Sequence, residues 1–226
     1  MRVLYTTLTH GAPRIEWVTG AMLLWDYEAA KGADCLIGQR HFSVGPYIHK
    51  NRAEAVLKMY AHNLDGVFSV DHDVFTPPNT LERMVATMEE TGAGVVAADL
   101  VLGSDAPSTG FLNDPKDETR FMSTVAPPGL NVGRVDTAAT SAILINRRVF
   151  DKISQHRDEP PLFGPGTWFM HWPIWDEKVG IYQSLGEDFS FSRRAVAVGE
   201  SIVVQYDLGL DHWKVRRMLP RPKKEE

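Results

Sequence analysis

Apolar and polar positions fall into blocks along the chain, and the period of the blocks changes. Residues 2–8 (RVLYTTL) are a short apolar run that predicts an opening β-strand. Gly11 and Pro13 mark the loop behind it. Over residues 15–30, Ile15, Val18, Met22, Leu23 and Ala29 recur near helical spacing and predict a helix stopped by Gly32. DCLIGQR is the next strand candidate. Residues 50–62 predict a helix with Ala53, Val56, Leu57 and Tyr60 on one face. GVFSV predicts a strand, DHDVFTPP a loop, and residues 80–90 a helix with Asn79 or Thr80 as N-cap and Gly92 near its end. GVVAA is the strand that follows. Strands alternating with helices imply a parallel sheet covered on its faces.

The second half is less regular. Residues 103–133 are rich in Gly, Pro, Ser and Asp and predict a long loop. A strand at 140–145 runs into a short helix, and residues 160–176 read as an aromatic-rich loop. GEDFSFSRRAVAVG predicts a helix ended by Gly199, and SIVVQYDLGLDHW a last strand. Residues 1–215 form one domain on this reading, and 216–226 a basic, flexible tail.

Composition narrows the classes. A length of 226 residues with 43% hydrophobic and 23% charged content suits one α/β domain with its own core. A net charge of -5 argues against gripping nucleic acid through bulk electrostatics. No apolar run is long enough to span a bilayer. A single cysteine, Cys35, excludes an internal disulfide and reads as a small buried hydrophobe. A cytoplasmic location is the expectation.

Four constellations carry candidate chemistry. Asp71-His72-Asp73 follows an apolar strand, and α/β sheets bind ligands beyond the carboxyl ends of their strands. Two carboxylates at that spacing can share a hard cation, although a solvated acidic turn has the same composition. Gly186-Glu187-Asp188 opens a helix, where carboxylates cap and offset the dipole, or one faces a site as general base. His212 follows the last strand and can complete a metal site. Asn51-Arg52, near a helix start, suits a phosphate or nucleotide edge. The aromatic loop with Phe163, Trp168, Phe169, Trp172 and Trp175 either stacks on an acceptor or roofs the core.

VFSVDHDVFTPPNTLERMV resembles the strand, DxD and following segment of GT-A glycosyltransferases, family-2-like enzymes in particular. RVDTAATSAILINRRVFDKI is similar to their central strand, and GEDFSFSRRAVAVGESIVVQYDLGLDHW to their G-E-D helix, last strand and terminal His. KNRAEAV resembles their A-R-N helix start with the polar order inverted. The resemblance implies a GT-A, Rossmann-like, three-layer α/β/α fold with a mostly parallel central sheet. It implies an inverting, metal-dependent transferase. Asp71, Asp73 and His212 would hold Mn²⁺ or Mg²⁺, with Asp71 also near the nucleotide ribose. Asp188 would be the base, with Glu187 the second candidate. Thr7, Thr9 and His10 would lie near the nucleotide base, and Asn51, Arg52 and Lys214 near the donor. Trp168, Trp172 and Trp175 would meet the acceptor. The expected donor is a nucleoside-diphosphate sugar, UDP- or GDP-linked. The acceptor is a hydroxyl on a glycan, small molecule, protein or modified nucleic acid. The alternatives are a sugar-phosphate nucleotidyltransferase and a GT-A domain that binds nucleotide-sugar or a partner without turnover.

Overall fold

The computed structural model describes residues 1–9, 15–45, 47–101, 110–114, 117–124, 130–156, 163–176 and 180–212. The basic tail, His10 and Lys214 lie outside them. The first half runs β1 (Val3–Thr9), α1 (Ile15–Ala30), β2 (Ile37–Val44), α2 (Ile48–Ala61), β3 (Gly66–Asp71), β4 (Val74–Phe75), α3 (Thr80–Thr91) and β5 (Val95–Val101). The second runs β6 (Gly110–Asp114), β7 (Asp117–Thr124), β8 (Val132–Val135), β9 (Thr137–Ala138), β10 (Ala142–Asn146), α4 (Arg147–Gln155), β11 (Trp172–Asp176), β12 (Ile181–Leu185), α5 (Glu187–Ala197) and β13 (Ile202–His212).

The main sheet has the order β2-β1-β3-β10-β5-β13-β4, with β8 on β13. β1 is parallel to β2 and β3, and β5 to β13, while β10 enters antiparallel between β3 and β5. Every residue of β1 is buried, as expected of a strand covered on both faces. Alternate strand positions feed two cores. Leu4, Val67, Ala97 and Ile143 meet α2, α4 and α5 on one side. Val3, Tyr5, Phe68 and Val96 meet α1 and α3 on the other. Three layers result.

α1 buries a different face from the one predicted, while α2 keeps most of its predicted face, with Val56 buried and Ala53 and Tyr60 packed against the core. α1 buries Trp17, Ala21, Leu24 and Glu28, while Ile15, Met22 and Leu23 are exposed. This helix carries apolar residues all round, so periodicity alone does not choose a face. The choice falls to an edge-to-face cluster of Trp17, Trp25 and Phe42 and to Glu28, which accepts the Leu36 N–H. α2 buries Arg52, Ala55, Val56 and Met59, leaving Leu57 at 59% exposure. Cys35 is half-buried rather than buried.

The predicted loop at 103–133 contains β6, β7 and the start of β8; β6 joins β7 and β9 in a three-stranded antiparallel sheet. Gly110 lets this small sheet lie close to the large one, since a Cβ there would stand 2.7 Å from Val135 of β8 and 3.0 Å from Val204 of β13. The aromatic stretch before α5 ends in a β11–β12 hairpin. Asn79 takes the N-cap position of α3 without a side-chain capping bond, and Gly92 ends that helix in the left-handed region.

Candidate functional site

β3 runs buried to its last residue, Asp71, whose backbone N–H is held by the Ser141 carbonyl. His72 and Asp73 then turn the chain into β4. β4 pairs antiparallel with β13, placing the His212 backbone opposite Val74, one residue past Asp73. The side chain of His212 lies outside the described residues. Its backbone stands beside the acidic turn.

Arg52 comes up from α2 beneath this turn. It is 4% exposed. One guanidinium nitrogen lies 3.4 Å from Asp71 Oδ1, and the other donates to the Thr140 hydroxyl. The group also sits 5.9 Å from the Phe169 ring centre. A buried guanidinium held this way is the counter-ion of Asp71. Burial dominates the Asp71 carboxyl and pushes it up to about 6. Arg52 and a hydrogen bond from Ser141 oppose that rise, while Asp73 adds to it. The net effect is a carboxylate short of positive charge.

Asp188 stands in the first turn of α5. Its Oδ1 accepts the adjoining Phe189 N–H at 2.8 Å, while the N-cap itself is Gly186, with no side-chain capping bond. Burial and then the neighbouring Glu187 raise its pKa, and the helix amide and Arg52 hold it down. Arg52 thus acts on both Asp71 and Asp188, which ties the two acidic motifs into one electrostatic unit.

The other expected residues divide. Thr9 lies just beyond the row that pairs Leu8 with Asp71, at the ligand end of the sheet. Thr7 is buried and donates to the Tyr5 hydroxyl. Asn51 donates to the Gly45 carbonyl and ties down the β2–α2 connection. Trp168 and Trp172, at 2% and 7% exposure, pack into the core, so they roof it rather than offer a face to an acceptor. Trp175, 49% exposed, stands edge-on to the exposed Tyr182 at 5.0 Å, so both rings are open on the hairpin.

Sequence reasoning passed over three polar residues here. Thr140 and Ser141 precede an apolar strand and carry the hydroxyls that meet Arg52 and Asp71. Asp99 interrupts apolar β5 two residues beyond Ala97. Ala97 pairs with Ile143, so the antiparallel register brings Asp99 and Ser141 to the same end of the sheet. An acid inside a run such as VVAADLV is the signal that was available.

No protein-family model matches the chain, and no curated protein does. Solved structures do match. A197 from STIV superposes with a TM-score of 0.57 at 16% identity, covering 95% of this chain and 86% of that one. GalNAc-T7 with UDP, GalNAc and Mn²⁺ superposes with a TM-score of 0.56 at 11% identity, covering 93% of this chain. This chain spans 43% of that second protein's length. The likeness establishes the GT-A glycosyltransferase fold for this chain.

Proposed function

We propose that the chain is a metal-dependent glycosyltransferase, moving a sugar from a nucleoside-diphosphate donor to an acceptor hydroxyl with inversion. The observation that carries the reading is Arg52, buried and paired with Asp71 at the acidic turn after β3, whose charge also lowers the Asp188 pKa. Asp71 and Asp73 fit a divalent cation of one kind. Among the described residues no three His, Cys, Asp or Glu side chains form a metal cage. Mg²⁺ and its analogues bind through one or two carboxylates when a substrate diphosphate supplies further oxygens. A cation arriving with its nucleotide therefore suits this donor set, with His212 as a further ligand. Bound there, it would neutralise charge on the departing diphosphate.

The chain's own residues do the rest. Thr9, with His10 and Lys214, would line the nucleotide. Asp188 is the base, and its raised pKa brings proton affinity closer to neutral pH, where a general base works best. The acceptor oxygen forms a bond to C1 of the sugar. The C1–O bond to the diphosphate breaks with its electron pair on the diphosphate, and the hydroxyl proton passes to Asp188. Burial, and then Glu187, keep the Asp188 pKa raised. Of Trp168, Trp172 and Trp175, Trp175 is the exposed one. No helix among the described residues is long and apolar enough to cross a membrane.

The test is thermal stabilisation by UDP, GDP, CDP, TDP and ADP, each with and without Mn²⁺. A ligand of the native state raises Tm by mass action. One nucleotide should stabilise the protein only with Mn²⁺, and Asp73→Ala should remove that effect. Stabilisation by no nucleotide in either condition would leave a GT-A domain that does not use such donors.

A further inference from the structure

α5 has two working faces. Phe191 and Ala195 point into the core. Phe189, Arg193 and Val196 recur at i, i+4 and i+7, a single outer stripe. That stripe faces the small sheet of β6, β7 and β9 across a cleft of about 310 Å³. This volume is at the lower end of the ~300–1,000 Å³ typical of small-molecule sites.

The lining has two chemical parts. Its floor is aromatic, with Phe121 edge-on to Phe189 at 4.4 Å; Phe111, outside the lining, backs the Phe189 ring at 5.2 Å. Its rim is polar, with Asp114, Asp136 and Arg193. Asp136 is fixed in place, because its Oδ2 accepts the Asn113 N–H at 2.9 Å. The two rim carboxylates outnumber the one guanidinium of Arg193, which disfavours a diphosphate here. The combination suits a neutral polyol ring. Its C–H face stacks on the aromatics while its hydroxyls donate to the carboxylates and accept from Arg193.

The cleft also adjoins the acidic site along two stretches of chain. Phe189 follows Asp188, and Leu185, also in the lining, stands just before Gly186-Glu187-Asp188. Thr137 lines the cleft three residues before Thr140, the partner of Arg52. We propose that this cleft is a saccharide-binding subsite that seats the acceptor ring beside Asp188. The word acceptor rests on the glycosyltransferase reading; the binding of a sugar ring does not.

The experiment uses protein labelled with fluorophenylalanine and followed by ¹⁹F NMR, without nucleotide or metal. The probes are the methyl glycosides of glucose, galactose, mannose, N-acetylglucosamine and N-acetylgalactosamine. Resonances of Phe121 and Phe189 are assigned with Phe121→Leu and Phe189→Leu. At least one glycoside should shift both resonances saturably. Val196→Trp, at a rim position 41% exposed and so tolerant of a larger side chain, should weaken that binding at least about tenfold with Tm unchanged. A panel that moves neither resonance, or binding that survives Val196→Trp, overturns the proposal. If a glycoside binds here but no nucleotide-sugar is consumed, the subsite stands and the transferase reading falls. If nucleotide-sugar is consumed and the panel is blank, the reverse holds.

Discussion

Arg52 decides the electrostatics of the site. A guanidinium at 4% exposure keeps its charge only where carboxylates and dipoles replace water, and Asp71 and Thr140 do so here. Arg52→Met removes that partner and leaves Asp71 and Asp188 with less to oppose their burial. Stability at pH 7 should fall by about 1–3 kcal/mol, the range for losing a buried hydrogen bond to a charged group. The loss should shrink at pH 5, where Asp71, with a pKa of about 6, is largely protonated. Urea unfolding at both pH values tests this, and an equal loss at the two would refute the pairing. Asp71, Asp73 and Asp188 were legible in the sequence because acids stand out where an apolar strand ends or a helix begins. The burial of Arg52 was not legible. A charge on a helix normally faces water. Its partners here lie 19 and 88 residues along the chain.

Elements were legible where one period dominates a long stretch. β1, α3 and α5 follow their patterns closely, since each buries a coherent run or stripe. The β6–β7 strands and the β11–β12 hairpin escaped detection because their strands are short, largely polar or exposed, and paired through contacts that periodicity does not encode. β12 is exposed along nearly its whole length, so it shows none of the alternation that marks a half-buried strand. The small sheet depends on one close approach instead. Gly110→Val places a Cβ 2.6 Å from Thr124 Oγ1, 2.7 Å from Val135 and 3.0 Å from Val204, contacts that require the sheets to part. Overpacking of this kind costs about 1–3 kcal/mol. The variant should therefore melt lower and, on the proposed acceptor subsite, also lose glycoside binding, because the floor of the cleft moves with β6 and β7. A melting temperature equal to wild type would show that the two sheets are not held at that distance.

At the scale of the molecule, the alternation of strands and helices predicted a layered α/β fold, but not the insertion of β10 antiparallel between β3 and β5. That insertion carries Thr140 and Ser141 to the ends of β3 and α2 and so assembles the site. The assembly has a consequence for stability against pH. Asp71 has a folded pKa of about 6, against ~3.9 for an unfolded aspartate. The folded protein therefore holds this proton more tightly than the unfolded chain. Its contribution to stability is complete below about pH 4 and is lost as pH rises through about 6. Asp188 is raised in the same direction. Asp71→Asn cannot ionise, so its Tm relative to wild type should climb between pH 4 and pH 7. A gain of about 1 kcal/mol over that interval corresponds to ~2–4 °C for a chain of this size. A Tm difference that stays flat across the interval would show that Asp71 titrates normally. Nucleotide with Mn²⁺ should act in the opposite sense on wild type. A protonated Asp71 is a poor ligand, so the stabilisation these ligands give should rise as pH passes through about 6. In Asp71→Asn that rise should be absent. The destabilising charge at the end of β3 would then be the same charge that the donor complex uses.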